Sequence, residues 1–282
     1  MLARWMDGVW DRLGRPVDFT VVEAGAGRGT LARSVLATAP ACLADGRYMA
    51  VERSDALREG LPSGVERLSD LPDGPVTGVV VANELLDNLA FRMLAAFDGA
   101  WHEVRVGVGD EGFVEVVGEA VDVVGLPDPV DGARIPLQDD AAAWVGRALG
   151  LLDRGVLLAF DYASTTADLA RRPWGEWLRT YRGHERGGHP LDAPGSQDVT
   201  VEVAIDQLPG TPTVTTQVAF LLANGIDDLV DEGRRLWQEG AAAGDLAAMG
   251  ARSRITESEA LLDETGLGGF AALEWTVEAT AS

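Results

Sequence analysis

Lysine is absent from the 282-residue sequence, and cysteine occurs only once, at Cys42. A single cysteine excludes an intramolecular disulfide and any cysteine-rich metal site, so other side chains must carry the chemistry. It also favours a reducing compartment, and we expect the protein to be cytoplasmic. All 23 basic side chains are arginines, which is typical of a GC-rich genome and indicates no particular function.

Long apolar runs and excess positive charge are missing as well. The first 14 residues contain too short an apolar run for a signal peptide, and no later stretch reaches the length needed to span a bilayer. The formal net charge is -22, and a surface this acidic repels phosphate backbones and anionic lipid headgroups. We therefore expect neither nucleic acid nor a membrane as a partner.

Strand patterns and helix patterns alternate along the chain. Apolar residues at helical spacing indicate helices, whereas short β-rich runs indicate buried strands. This alternation predicts an α/β protein with a Rossmann-like, mostly parallel, doubly wound sheet. The predicted strands cover residues 19–23, 48–52, 76–82 and 155–162, and the predicted helices cover residues 2–13, 31–39 and 137–152.

Two regions interrupt the alternation. Residues 91–117 alternate apolar and polar side chains, which predicts antiparallel strands, and residues 173–211 are rich in glycine, proline, histidine and charge. We expect one domain over residues 1–282, with insertions near 91–135 and 165–250 that form a substrate-side lobe. The carboxy-terminal part predicts helices over residues 214–224, 226–247 and 257–265 and a strand over residues 269–277.

A glycine-rich loop follows the first predicted strand, in the segment VVEAGAGRG at residues 21–29. Gly25 and Gly27 would let the backbone turn sharply and let a ligand approach the amides at the start of the next helix. The spacing is shorter than that of a dinucleotide fingerprint, and Glu23 would repel a phosphate. The loop therefore favours a ligand with an amino group, such as the methionine part of S-adenosylmethionine.

Acidic residues follow the next two predicted strands. Glu52 ends the second strand, where a carboxylate can accept hydrogen bonds from both ribose hydroxyls of an adenosine ligand. Asp70 lies where a third strand should end and could accept from an adenine amino group. The structural alternatives are that the glycines form a tight turn, that Glu52 caps the following helix, and that Asp70 contacts no ligand.

A third acidic segment, NELLDN at residues 83–88, follows the strand at 76–82 directly. In open parallel sheets the ligand crevice lies at the carboxyl ends of the strands. If this segment is helical, Glu84 and Asp87 lie on one side and could hold a guanidinium or an amine together. The alternative is that Asn83 caps a short helix and the acids are solvated.

Five blocks of the sequence together resemble the MidA-like methyltransferases. The family's mitochondrial members act in respiratory complex I assembly and methylate an arginine of a complex I subunit. The resemblance covers most of the chain. It rests on VVEAGAGRGTLARSVL (21–36), YMAVERSDALRE (48–59), VVVANELLDNLAFRML (79–94), LLAFDYA (157–163) and LRTYRGHERGGHPLDAPGSQDVT (178–200).

The resemblance implies S-adenosyl-L-methionine as cofactor and a Rossmann-like methyltransferase fold. It implies that Gly25, Gly27 and Glu52 lie at the cofactor and that Asn83, Glu84 and Asp87 lie at the crevice as the catalytic residues. Family members usually carry a segment before the helix predicted at 2–13 that helps to close the cofactor site. This chain begins within that pattern, so we expect either a start assigned too late or a more open site.

Four further residues are candidates for contact with the substrate. Asp161 and Tyr162 end a predicted strand and could orient a substrate nitrogen, or form structural hydrogen bonds. The resemblance implies that Tyr181 and His184 shape the substrate pocket, although an ordinary hydrogen-bonded loop is the alternative. Histidines without cysteines or regular spacing make a metal site improbable. Asp198 and Thr200 could cap a helix.

The sequence therefore predicts an S-adenosylmethionine-dependent methyltransferase that acts on a protein arginine or another nitrogen acceptor. In that reaction the protein mainly aligns the acceptor nitrogen with the methyl group and keeps that nitrogen unprotonated. Two alternatives stay open. The chain could bind the cofactor without catalysis, as an assembly protein or chaperone, or it could methylate a small molecule. A homodimer is also left open.

Overall fold

A computed structural model describes residues 1–183, 185–240 and 246–279. The strands are β1 (Thr20–Ala24), β2 (Arg47–Val51), β3 (Glu66–Leu68), β4 (Val76–Asn83), β5 (Arg92–Phe97), β6 (Ala100–Gly109), β7 (Gly112–Val121), β8 (Arg134–Leu137), β9 (Leu152–Asp161), β10 (Ala163–Ser164), β11 (Leu178–Arg182), β12 (Glu185–Arg186), β13 (Asp198–Val201), β14 (Val203–Ala204), β15 (Thr213–Thr216) and β16 (Ala271–Val277). The helices are α1 (Leu2–Arg12), α2 (Thr30–Ala37), α3 (Asp55–Glu59), α4 (Asp139–Leu151), α5 (Thr166–Arg171), α6 (Trp174–Trp177), α7 (Gln217–Ala223), α8 (Ile226–Gly240) and α9 (Leu246–Leu262).

The chain divides into two compact units. The first unit comprises Met1–Asn83, Ala148–Phe160 and Thr211–Ser282, and the second comprises Glu84–Arg147 and Asp161–Gly210. Both predicted insertions contribute to the second unit, but the residues after Gly210 belong to the first unit with the large sheet. That a single domain spans the chain stays a prediction.

The first unit contains a seven-stranded sheet in the order β15-β16-β9-β4-β1-β2-β3. The pairs β1–β2, β2–β3, β1–β4 and β4–β9 are parallel, and the edge pair β15–β16 is antiparallel. The predicted Rossmann-like parallel architecture is therefore confirmed. The chain order reverses between β1 and β4, and open α/β sheets bind ligands at the carboxyl ends of strands at such a point.

Two glycines allow the central strands of this sheet to approach each other. Gly78 on β4 lies opposite both Thr20 on β1 and Gly155 on β9. Both glycines have a φ of +152°. A Cβ atom at Gly155 would lie 1.9 Å from the carbonyl oxygen of Gly78, and one at Gly78 would lie 2.0 Å from that of Thr20. A side chain at either position would therefore collide with backbone.

The core of the first unit joins the sheet to its helices. Trp5, Met6 and Val9 of α1 are buried in one cluster with residues of β1, β4 and β9. The Trp5 Nε1–H donates to Glu274 on β16 at 2.9 Å, which satisfies the polar edge of the indole. The amphipathic helix predicted over residues 2–13 is therefore confirmed and packs within this unit.

The predicted helix over residues 214–224 is wrong in its first turn. Residues 213–216 form the strand β15, which pairs antiparallel with β16. The β-branched run of threonine and valine suits an edge strand better than a helix. Thr216 then caps α7, because its hydroxyl accepts a hydrogen bond from the amide of Ala219. Asp198 and Thr200 cap no helix, because they lie within β13.

The described residues of the second unit form three small sheets. The order β7-β6-β5-β8 forms an antiparallel four-stranded sheet, which confirms the antiparallel strands predicted over residues 91–117. Strands β12-β11-β13 form a three-stranded sheet, and β10 pairs with β14. One core cluster centres on Leu94, Trp101 and Ile135, and a second centres on Leu169 and Trp177. No helix among the described residues is long and apolar enough to cross a membrane.

Candidate functional site

The glycine loop between β1 and α2 is held in left-handed backbone conformations. Gly25, Gly27 and Gly29 have φ values of +70°, +53° and +70°, which favour glycine. A Cβ atom at Gly29 would lie 2.7 Å from the side chain of Pro62, whereas one at Gly27 would meet nothing nearer than the Gly25 carbonyl oxygen at 4.0 Å. Gly29 therefore serves packing at the start of α2, and the backbone at Gly27 has open space beside it.

The Glu52 carboxylate fixes this loop from the end of β2. One oxygen accepts a hydrogen bond from the Gly27 amide at 2.8 Å, and the other accepts from the Ser54 amide at 2.8 Å. The N-cap of α3 is Ser54, whose hydroxyl accepts from Leu57, so Glu52 is not the cap residue. A carboxylate has about four acceptor positions, so Glu52 keeps capacity for two ligand hydroxyls.

Glu23 lies in the core, with only 5% of its surface exposed. The Tyr48 hydroxyl on the neighbouring strand β2 donates to its carboxylate at 2.7 Å. Burial raises the pKa of Glu23 to about 7, and the hydrogen bonds from Tyr48 and the Ala32 backbone oppose that rise. The cofactor contact expected of Glu23 stays a prediction, and the structure gives this carboxyl a partner within the core.

The raised pKa of Glu23 predicts a stability that depends on pH. Between its ordinary value of 4.5 and about 7, the folded chain keeps the Glu23 proton while the unfolded chain loses it. The contribution of Glu23 to the free energy of unfolding is therefore complete below pH 4.5 and is lost as the pH rises through 7. The loss amounts to roughly 3 kcal/mol.

Replacing Glu23 with Gln removes this titration and keeps an oxygen that can accept from Tyr48. We expect Glu23→Gln to be more stable than the wild type at pH 8, with the difference vanishing toward pH 4.5. Urea unfolding of both proteins across this interval measures the effect, and the comparison cancels contributions from other groups. If the free energy of unfolding changed with pH in the same way in both proteins, burial would not raise the pKa of Glu23.

Asp70 lies two residues beyond the end of β3 and is exposed. Its carboxylate accepts a hydrogen bond from the Leu71 amide at 2.8 Å. The predicted third strand is therefore present on the same sheet as β1 and β2, and Asp70 follows it as expected. Its contact with an adenine stays a prediction.

The acidic elbow, residues 83–88, begins at the last residue of β4. Asn83 is exposed and pairs in register with Phe160 on β9. The helix that follows is a single 3-10 turn, Leu86–Asn88, whose N-cap is Leu85, so Asn83 is not its cap. Glu84 lies before this turn with a φ of +49°, which is uncommon for a residue with a side chain and is frequent at functional sites.

Glu84 and Asp87 are brought together although the elbow forms no regular helix. The Asn88 side-chain amide donates to the Glu84 carbonyl at 3.2 Å and to the Asp87 carboxylate at 2.7 Å. Glu84 is exposed, whereas Asp87 is only 3% exposed. Burial, together with the charge of Glu84, raises the pKa of Asp87 to about 6. An exposed carboxylate thus lies close enough to a buried one to raise its pKa.

Asp161 at the end of β9 holds the elbow in place. It is completely buried, and one carboxylate oxygen accepts from the amides of Leu86 and Asp87 at 2.9 and 3.2 Å. The other oxygen accepts a hydrogen bond from the backbone amide of Tyr162 at 3.0 Å. Burial and the nearby Asp87 raise the pKa of Asp161 well above its ordinary value. This is the structural hydrogen-bonding alternative that the sequence left open beside substrate contact.

Tyr162 lies beside the two elbow carboxylates. Burial raises the pKa of its phenol, and the charges of Glu84, Tyr181 and Asp87 add to that rise. The Arg179 guanidinium lies over its ring, 5.2 Å from the centroid. The structure therefore places Tyr162 and Tyr181 within electrostatic reach of each other, and the substrate contact expected of both stays a prediction.

Sequence reasoning missed Arg179. It lies two residues before Tyr181 on β11, so both side chains project from the same face of that strand. This period of two was the signal that could have identified it. His184 lies outside the described residues. Among the residues that the structure describes, no group of three or more histidine, cysteine or acidic side chains could hold a metal ion.

Comparison with known proteins gives concordant matches. Residues 1–219 match the model of a family of S-adenosyl-L-methionine-dependent methyltransferases. A Drosophila melanogaster protein named "Protein arginine methyltransferase NDUFAF7 homolog, mitochondrial" is 27% identical over an alignment of 249 residues that covers 72% of this chain and 54% of that protein. The chain thus spans about half the length of this curated relative.

Two crystal structures from Burkholderia thailandensis share the fold along the whole chain. One contains bound S-adenosyl-homocysteine, is 25% identical, covers 100% of this chain and 76% of its own, and has a TM-score of 0.80. The other is a native structure that is 26% identical, covers 100% of this chain and 79% of its own, and also has a TM-score of 0.80.

Proposed function

Because this chain belongs to the family of S-adenosyl-L-methionine-dependent methyltransferases, we propose that it transfers a methyl group from that cofactor to a protein nitrogen, with arginine as the acceptor side chain. The observation that carries this proposal is the acidic elbow, in which the exposed Glu84 lies within electrostatic reach of the buried Asp87. The named activity of the Drosophila relative supports the same acceptor.

The residues of the first unit fit the cofactor. The backbone at Gly27 is open to a ligand, and Glu52 fixes that backbone while keeping free acceptor capacity. We propose that Glu52 accepts hydrogen bonds from the ribose hydroxyls, with Gly25 and Gly27 beside the methionine part. When bound, the cofactor supplies an electrophilic methyl group on a sulfonium.

The elbow suits a cationic nitrogen acceptor. A guanidinium offers paired N–H donors that match a carboxylate, and Glu84 is the exposed carboxylate of the pair. Transfer forms a nitrogen–carbon bond, breaks the carbon–sulfur bond and leaves the sulfur as a neutral thioether, while the nitrogen loses one proton. Asp87, whose pKa is raised to about 6, is the nearby group that can take up that proton.

Tyr162, Tyr181 and Arg179 complete the proposed acceptor site. The two phenols offer ring faces and hydroxyl groups to a planar guanidinium. Arg179 makes a cation–π contact with Tyr162, because its guanidinium lies over that ring. Asp161 acts through the elbow as a positioning residue, since its carboxylate contacts the backbone of residues 86 and 87.

Transfer of tritium from methyl-labelled S-adenosylmethionine tests the proposal. The acceptors are an arginine-containing polypeptide, the same polypeptide with lysine or citrulline in place of arginine, and a set of small amines. We expect label on the arginine polypeptide alone. Label only on small amines would indicate a small-molecule methyltransferase, and cofactor binding without transfer to any acceptor would indicate a non-catalytic assembly protein.

A further inference from the structure

The hairpin of β6 and β7 extends beyond the sheet that it belongs to. Strand β5 pairs with β6 only as far as Val104, whereas β7 pairs with β6 to the turn at Gly109 and Gly112. Residues 105–109 and 112–116, here called the ribbon, are therefore two-stranded among the described strands. A two-stranded ribbon is marginally stable in water, and its open edges can pair with another strand.

The ribbon exposes an unusual amount of apolar surface. Val106, Val108 and Phe113 are 61%, 84% and 50% exposed, and Val114 and Val116 are 42% and 47% exposed. Because Val108 lies opposite Phe113 and side chains alternate along a strand, the first three share one face and the last two share the other. Contiguous exposed apolar patches mark interaction surfaces in soluble proteins.

A pocket of about 340 Å³ opens beside the first of these faces. Val104 and Val106 form one wall, so the pocket continues the apolar face of the ribbon, and its volume is within the range of about 300 to 1,000 Å³ for ligand sites. It has room for one large apolar side chain. The other apolar walls are Phe91, Met93, Trp174, Leu178, Leu191 and Val199.

The charged residues at the pocket already have partners. Arg134 donates to the Glu115 carboxylate at 2.8 Å, and the pKa of Glu115 is lowered mainly by this hydrogen bond. Arg92 donates to Asp139 at 2.7 Å and lies 3.9 Å from Glu103. These charged side chains are already paired, so they do not require a charged group on a ligand. The apolar walls of the pocket therefore favour an apolar ligand group.

The charge of the ribbon indicates the kind of partner. Asp110, Glu111 and Glu119 lie in or next to the ribbon and form no ion pair with another described residue. A second copy of this chain would bring a further net charge of -22, which disfavours self-association at an acidic ribbon. A basic partner is electrostatically complementary.

We propose that the ribbon and its pocket bind an extended polypeptide segment in which apolar and basic residues alternate, with one apolar side chain seated in the pocket. Its backbone pairs with the open edge of β6 beyond Val104, and its basic side chains face Asp110 and Glu111 at the turn of the ribbon and Glu119 next to it. This site is formed entirely by residues of the second unit, and the proposal does not depend on methyl transfer.

Fluorescence anisotropy with a labelled peptide tests this proposal. The probe alternates valine and arginine and carries one central phenylalanine, and a matched peptide has glutamate in place of arginine. We expect saturable binding of the basic probe at physiological salt and at least about tenfold weaker binding by a Val106→Asp, Val108→Asp double variant. Two added negative charges would strengthen a purely electrostatic interaction, so weaker binding identifies apolar docking.

Val17→Asp is the matched control, because Val17 is 77% exposed and lies in the first unit. It adds the same type of charge and should leave the affinity of the basic probe unchanged. Val108→Ser, which adds no charge, should weaken binding in the same direction as the double variant. Circular dichroism and urea midpoints equal to those of the wild type establish that the variants are folded.

Two results would overturn the proposal. The first is a double variant that binds the basic probe as tightly as the wild type, since binding would then depend on charge alone. The second is a dimer in analytical ultracentrifugation that the double variant abolishes, since a second copy would then cover the ribbon.

Discussion

Replacing Gly155 with Ala should prevent stable folding or lower the free energy of unfolding by about 3 kcal/mol or more. The new methyl group would lie 1.9 Å from the Gly78 carbonyl oxygen, at the centre of the seven-stranded sheet. The parallel hydrogen bonds between β4 and β9 fix the backbone of both strands, so neither strand can move away without losing hydrogen bonds. The φ of +152° adds strain for any residue with a side chain.

Gly150→Ala is the control for this prediction. Gly150 lies within α4, and a Cβ atom there would meet no other atom within 4 Å. Alanine is favoured over glycine in a helix by up to about 1 kcal/mol, so this variant should equal or exceed the wild type in stability. Urea unfolding measures both. Equal stability of Gly155→Ala and the wild type would contradict the close approach of β4 and β9.

Replacing Glu84 with Gln should lower the rate of methyl transfer by about 100-fold or more while leaving the affinity for the cofactor nearly unchanged. Glutamine keeps the shape of the side chain but removes the charge that the proposed acceptor requires. The same substitution should lower the pKa of Asp87, because the charge of Glu84 is one cause of its rise. The rate of transfer should therefore depend on pH differently in the variant.

Glu59→Gln provides the matched control, since Glu59 is an exposed glutamate at the end of α3. Single-turnover transfer and calorimetric titration of the cofactor, applied to both variants, separate chemistry from binding. We expect Glu59→Gln to behave as the wild type in both measurements. A wild-type rate of methyl transfer in Glu84→Gln would contradict the proposed role of Glu84 in holding the acceptor.

The parallel sheet could be predicted from the sequence because its signals are local. Continuous apolar runs such as residues 76–82 indicate strands buried on both faces, and the glycine loop at residues 25–29 separates a strand from a helix. Strand β15 was missed because the tertiary pairing with β16, about 60 residues later, outweighs the helical pattern of residues 214–224.

The positions of the candidate residues could be predicted from the sequence, but their burial and hydrogen-bond partners could not. Position at strand ends identified Glu52, Glu84, Asp87 and Asp161, because parallel strands end at one edge of the sheet. The burial of these side chains could not be predicted from their positions in the sequence. Only the structure distinguishes the exposed Glu84 from the completely buried Asp161, whose carboxylate serves the backbone of the elbow. Glu23 likewise contacts Tyr48 through a cross-strand pairing that no local pattern reveals.

The most direct test of the account is calorimetric titration of the purified protein with S-adenosylmethionine, repeated on Glu52→Ala and on Glu66→Ala. Glu66 is an exposed glutamate on β3 and serves as the control. We predict saturable binding by the wild type and by Glu66→Ala, and loss of binding in Glu52→Ala, because that variant loses both the ribose acceptor and the hydrogen bond that fixes Gly27. Unchanged binding by Glu52→Ala, or no binding by the wild type, would contradict the assignment of the glycine loop and Glu52 as the cofactor site.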